Sequence, residues 1–186
     1  MKKILVYTIC ICMLIGALAA CGASSPQKTV QLFMESWKTL DTVKMNELCE
    51  SIPTDSLDAA SESQNTTFYE NVSYEIGEFT IDGDTATVDI TITCADLAKI
   101  TGDVMMEVIG QMLVHMSDDT FDQNEYVEKA MLEVINSQDC PMVTNSVTVH
   151  LKKSSDRKWI IASTEVGEAN RDFYNALTGG LANIAE

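Results

Sequence analysis

Ala86-Thr87-Val88-Asp89-Ile90-Thr91-Ile92-Thr93-Cys94 alternates apolar and polar side chains at every step. Successive side chains of a strand point to opposite faces, so this period of two predicts a strand with one buried and one wet face. Asp82-Gly83-Asp84, just upstream, is a hairpin turn signal. Before it a strand is expected over Val72 to Ile81, its alternation slipping around Gly77 in the manner of a bulge. Downstream, Val147, Val149 and Leu151 alternate inward, Ser154-Ser155-Asp156-Arg157 turns, and Trp159 to Thr164 returns as a fourth strand.

The rest of the chain has helical periodicity. Val30, Phe33, Met34, Trp37 and Leu40 form one apolar stripe of a helix starting near Pro26. Asp41 caps a second helix with Met45, Leu48, Cys49 and Ile52 on its apolar side, ended by Pro53. Residues 53–67, rich in Ser, Asp, Thr and Asn, read as a surface loop. Asp96 caps a helix from Leu97 to about Met116. Another runs from about Asp122 to Ser137 with Val127, Ala130, Met131, Val134 and Ile135, and Cys140-Pro141 breaks it. A final helix carries Phe173, Leu177, Leu181 and Ile184, weakened by Gly179-Gly180. Helix, helix, strand pair, helix pair, strand pair, helix is not the strict alternation of a parallel α/β fold. It predicts an α+β domain, an antiparallel sheet with helices against one face. Trp37 and Trp159 are expected to point into one core between the first helix and the sheet.

Val30-Gln31-Leu32-Phe33 with Trp37, Met142-Val143-Thr144-Asn145-Ser146-Val147-Thr148-Val149, Lys158-Trp159 and Asn175-Ala176-Leu177-Thr178-Gly179-Gly180-Leu181 carry a resemblance to a known family. Together they resemble the NTF2-like (cystatin-like) cone, as in lipoproteins of Gram-positive gut bacteria that hold such domains of unknown function. The resemblance spans most of residues 26–181. It implies a curved antiparallel sheet packed against N-terminal helices, a helical pair inserted between two strand pairs, and a short C-terminal helix.

The start of the chain speaks to compartment. Lys2 and Lys3 precede the 12-residue apolar run Ile4 to Ile15, as in a secretory signal. Leu18-Ala19-Ala20-Cys21 resembles the bacterial lipobox, in which a diacylglyceryl group, with acyl chains such as palmitate, is attached to the Cys thiol and the chain is cut just before it. The alternatives are an uncleaved membrane helix and a cleaved signal without lipid; a Cys directly after the small residues favours lipidation. The resemblance implies a signal peptide over 1–20, lipidated Cys21 and a short tether over 21–27, and the NTF2-like domain over 28–186. The partner expected is the membrane, through the group on Cys21, at its extracytoplasmic face. Buried methylenes contribute about 0.8 kcal/mol each and one chain holds only marginally, so two give a stable anchor. Gly22 to Gln27 reaches about 20 Å at most when extended.

The 186 residues suffice for one domain. With 12 Lys and Arg against 28 Asp and Glu, the net charge is −16, which excludes nucleic acid as a partner because no cationic surface is available for phosphates. Without residues 1–20, 10 basic residues face 28 acidic ones, a net of −18. Such a surface is repelled by anionic headgroups within a screening length of about 8–10 Å, so lipid alone would draw it to the bilayer.

No pair among Cys49, Cys94 and Cys140 has C-x₂₋₄-C spacing, so neither zinc nor a redox motif is expected. Three thiols are favoured over one disulfide, with Cys49 and Cys94 as small core hydrophobes. No H-E-x-x-H or G-x-S-x-G accompanies the two histidines. His150 is expected to face solvent, and His115 to pack among Met112, Leu113 and Met116. Some NTF2-like enzymes use a His or a Tyr with a carboxylate inside the cone, and neither pair can be placed here. Asp89 is expected to face water, and Glu75, Glu78 and Asp82 surround a turn. Asp118 to Glu125 lacks calcium-loop spacing and is better explained by helix capping. No catalytic, cofactor-binding or metal residue is therefore expected.

The least ordinary segment is Val104 to Met116, where Met105, Met106, Met112 and Met116 lie on a helix apolar nearly all round. Such a helix must be covered. Core filling is favoured over a binding groove or a dimer interface, although methionine suits each. The expected function is a membrane-anchored, non-catalytic module that binds a small molecule or an envelope partner in or beside the cone. The alternatives are a structural envelope lipoprotein without a ligand and a cone-pocket enzyme such as a dehydratase or isomerase. A filled cone would favour the structural reading, an apolar-lined pocket the binder, and a carboxylate beside His or Tyr in an enclosed pocket the enzyme.

Overall fold

The computed structural model describes residues 25–52, 66–116, 121–165 and 167–183. The lipobox, the loop over 53–65, Asp118, Asp119 and Ile184 lie outside the described residues.

Helix α1, Pro26–Lys38, begins as expected: Ser25 accepts a bond from the Lys28 amide at 3.1 Å, and Pro26 needs no partner at the first helical position. Asp41 accepts from the Lys44 amide at 2.9 Å and starts α2, Thr42–Leu48. The end of the expected surface loop departs from the reading. Thr67–Glu70 forms a short helix, α3, which drops Phe68 into the core.

The sheet has four antiparallel strands in the order β1 (Ser73–Asp82), β2 (Thr85–Ala95), β3 (Met142–Lys153) and β4 (Trp159–Ile161). Its register shifts between Ile76 and Phe79, the bulge expected around Gly77. In β2, Ala86, Val88, Ile90, Ile92 and Cys94 are buried while Asp89 is exposed. The fourth strand is shorter than expected and stops at Ile161. Beyond it the buried Asn170 side chain does the work of a strand: Oδ1 accepts from the His150 amide at 2.7 Å, and Nδ2 donates to the carbonyls of His150 at 2.8 Å and Ala162 at 3.0 Å.

Two helices, α4 (Leu97–Val114) and α5 (Gln123–Ile135), stand between β2 and β3. Ala95 and Met142, on either side of them, are register partners, so the helical pair is an insertion in a β-hairpin. Its helices pack chiefly on each other. Asp96 caps α4 and Asp122 caps α5, accepting from the Asn124 and Glu125 amides, which bears out the capping role of that residue.

The last helix, α6, spans Arg171–Leu177 and does not reach Leu181 as expected. Gly179 (φ 56°) and Gly180 (φ 84°) reverse the chain, and a 3₁₀ turn over Leu181–Asn183 follows. The cause is a close approach: a Cβ on Gly179 would lie 2.1 Å from the Ala95 carbonyl oxygen. The Gly179 carbonyl accepts instead from the Ala98 amide at 3.1 Å, tying the C-terminal turn to the foot of α4.

One core joins these elements. α1 lies on the inner face of the sheet, and both Trp37 and Trp159 are buried in that core, as expected. Phe33 meets Phe173 at 5.7 Å, and Trp37 meets Tyr69 at 5.5 Å and Tyr174 at 6.5 Å. α1 begins against β4, where the Thr29 hydroxyl donates to the Trp159 carbonyl, and ends near α3 and the first residues of β1. The turns after β1 and β3 share that starting end of the sheet, joined by Lys153 to Asp84 at 3.1 Å. The α4–α5 pair leaves from the opposite end.

Candidate functional site

The inner face of the sheet is filled. Ile90, Ile92, Val149 and Ile161 are buried against Phe33 and Phe173, so side chains occupy the place where a cone pocket would lie. At the rim of that face Tyr74 is raised by burial and then by the Glu35 carboxylate of α1, and the direct Tyr–carboxylate hydrogen bond found among the described residues lies elsewhere. Tyr126 donates to Glu107 at 2.6 Å across the exposed face of the α4–α5 pair, and its hydroxyl is held above its usual range by that bond first. Tyr69 is raised too, by burial and then by Tyr174, with no carboxylate among the causes. His150 is exposed as expected, and Asp89 accepts a 2.8 Å bond from Thr148 on the wet face. His115 caps the end of α4 and stacks on Phe121 at 4.8 Å.

The thiols follow their environments. Cys49, Cys94 and Cys140 are free, and burial pushes Cys49 and Cys94 from 9.0 up to about 11. Cys94 donates to the Ala176 carbonyl and Cys49 to the Ser51 carbonyl, the geometry of core residues rather than nucleophiles. Among the described residues no group of three or more His, Cys, Asp or Glu is placed to hold a metal ion.

The described residues form several surface depressions. A groove of about 940 Å³ runs between α1, α2 and the turn after β3, with Lys28, Lys44, Lys158, Glu47, Glu50 and Trp159 on its walls. Lys44 is paired with Glu47 at 2.7 Å and Glu50 with Lys152 at 2.6 Å, so much of its charge is internally neutralised. A shallower hollow of about 340 Å³ lies on the wet face over Glu75, Asp89, Thr91, Ser146 and Thr148. The third, about 320 Å³, sits beside His150, Leu151 and Ala162.

The outstanding surface is on α4, and it corrects the expectation that its methionines fill a core. Only Ile100, Val104 and Val108 of that helix are buried. Met105 is 43% exposed, Met106 74%, Ile109 54%, Met112 45%, Leu113 71% and Met116 82%. The physical reason is the architecture: an inserted helical pair covers each helix from one side, and among the described residues no further layer reaches the other. At 100° per residue the five of these within α4 fall in one arc of about 120°, and Met116 follows in the turn just past its end. Lys99 and Asp103 pair with each other at 2.7 Å along its edge, and the arc itself carries no charge.

Asn170 escaped the sequence reading because its role needs β3 and the segment after β4 already in place. No local pattern marks it.

No family model matches the chain. No curated protein matches it either. Among solved structures the fold is similar to that of ycdA from Bacillus subtilis subsp. subtilis strain 168, a candidate lipoprotein, at 16% identity and a TM-score of 0.42. The match covers 67% of this chain and 38% of the other, so this chain corresponds to well under half of that protein. No described helix is long and apolar enough to cross a membrane.

Proposed function

We propose that the protein is a lipid-anchored extracytoplasmic lipoprotein whose NTF2-like domain is a non-catalytic docking module, engaging an envelope partner through the outer face of α4. The observation that carries this reading is the uncovered arc of Met105, Met106, Ile109, Met112, Leu113 and Met116. Typical monomers leave no contiguous apolar patch larger than roughly 300–600 Å², and larger ones mark interaction sites. Met is the side chain best able to adapt to a partner surface. The filled inner face supports docking outside the sheet in place of a small molecule within it. The four methionines are built-in reporters, since an exposed thioether oxidises to the sulfoxide. Peroxide treatment of intact cells, compared with the same chain dissolved in detergent and diluted, should show Met105, Met106, Met112 and Met116 protected severalfold in the envelope. Equal oxidation in both would overturn the docking role and favour a purely structural lipoprotein, the second reading that the filled sheet supports. The anchor is tested separately. Cys21→Ala should leave an uncut precursor or a released domain in cell fractionation, and a variant still tightly membrane-bound at mature length would exclude lipidation.

A further inference from the structure

Resting on that docking role, we propose that the partner of α4 is a second copy of this chain, and that two such helices pair along one seam. Gly102, Met105, Ile109, Met112 and Met116 follow one another at steps of three, four, three and four residues. That mean spacing of 3.5 is the repeat that keeps one stripe facing a partner helix over its whole length. All five are exposed, and Met106 and Leu113 flank the seam.

Three further observations select a second copy. The first is area. With side chains of about 200 Å² each, these exposures leave roughly 700 Å² of apolar surface per copy, close to the 800 Å² or so that one partner contributes to a standard interface. The second is charge. A chain with 28 acidic and 12 basic residues repels its own kind over most of its surface, and this arc is free of charge. A cationic partner would be drawn to the acidic surface instead. The third is backbone access. Gly102 lies inside α4 on the seam, where it costs about 1 kcal/mol relative to alanine, yet no described residue of another element lies within 4 Å of the place a Cβ would take there. Along a helix pair Gly102 lets the two backbones come close, with a methionine of one copy seated over the glycine of the other. A two-fold axis through such a seam makes it self-complementary and closed, so association stops at the dimer.

The test uses the full-length chain in the membrane of a bacterial host, with a photo-crosslinking amino acid at Met106 and, in a separate chain, at Arg157 on the opposite end. The expected result is an adduct of twice the chain's mass, containing this chain alone, from position 106 and not from 157. Ile109→Lys with Met112→Lys should abolish it while leaving the melting temperature of the diluted, unpaired chain unchanged, because both positions are exposed. An adduct with a different protein would overturn pairing with a second copy and leave the docking role standing. No adduct from position 106 would overturn both.

Discussion

Asn170 holds the far end of the sheet together with one side chain. Its three bonds to His150 and Ala162 take over where the ladder between β3 and β4 runs out, after a last rung from the Ala162 amide to the His150 carbonyl. An alanine there strands the His150 amide and the Ala162 carbonyl, at roughly 1–3 kcal/mol for each group so stranded, while the His150 carbonyl keeps the Ala162 amide at 3.0 Å. We expect Asn170→Ala to destabilise the domain by about 3 kcal/mol in urea unfolding, and a change below 1 kcal/mol would show that water takes over the bonds. Glycines separate by context in the same way. At Gly179 a methyl group meets the Ala95 carbonyl at 2.1 Å, whereas at Gly102 it meets nothing within 4 Å. Gly179→Ala should lower the melting temperature steeply, and Gly102→Ala should raise the stability of the isolated chain by about 1 kcal/mol. Equal effects would contradict the geometry. The Gly179-Gly180 pair was legible as a weak point in a helix, but the turn it makes was not, because its cause is a strand more than eighty residues upstream.

Among elements, β2 was read correctly because burial on one face and water on the other write themselves directly into a period of two. α4 was misread for the converse reason. A helix apolar on most sides gives the same pattern whether its own chain covers it or another molecule does, and only the position of α5 distinguishes them. That position also makes the arm separable. Since Ala95 and Met142 already pair, replacing residues 96–141 by Asn-Gly would close β2 and β3 with an ordinary two-residue hairpin turn. The shortened chain should stay folded, showing the near-ultraviolet circular dichroism of buried Trp37 and Trp159. Loss of that signal would mean the arm is part of the core. The lost Ala98 to Gly179 bond should make it melt somewhat below the full chain.

At the level of the whole molecule, two buried thiols set an alkaline limit. Burial holds Cys49 and Cys94 neutral to about pH 11, whereas an unfolded chain ionises them from about 9.0. The unfolded state therefore releases protons first, and the stabilisation present below pH 9 is lost as pH rises to 11. The melting temperature should be level from pH 7 to 8.5 and fall above 9. Replacing both residues by alanine should flatten the slope between pH 9 and 10, even though the plateau drops through the cavities left behind. An unchanged slope would assign it to other groups. The α+β layering was legible from element order alone, but the filled inner face was not, because whether a sheet closes over a hollow depends on how Phe33 and Phe173 meet across it.

The two ends of the sheet have different neighbours: α1 starts at one and the α4–α5 arm leaves from the other. A chain held at Cys21 would carry its arm about 37 Å further out, the length of the 11 residues of β2. Every copy in one leaflet would then present its seam at the same height. Encounters between seams become a search in two dimensions, in which a shared anchor plane raises the effective concentration of one copy for another far above its bulk value. Pairing too weak to survive dilution in solution would persist on the membrane. Release from the lipid would dissolve it, and the proposed anchor would then be a determinant of assembly as well as of location.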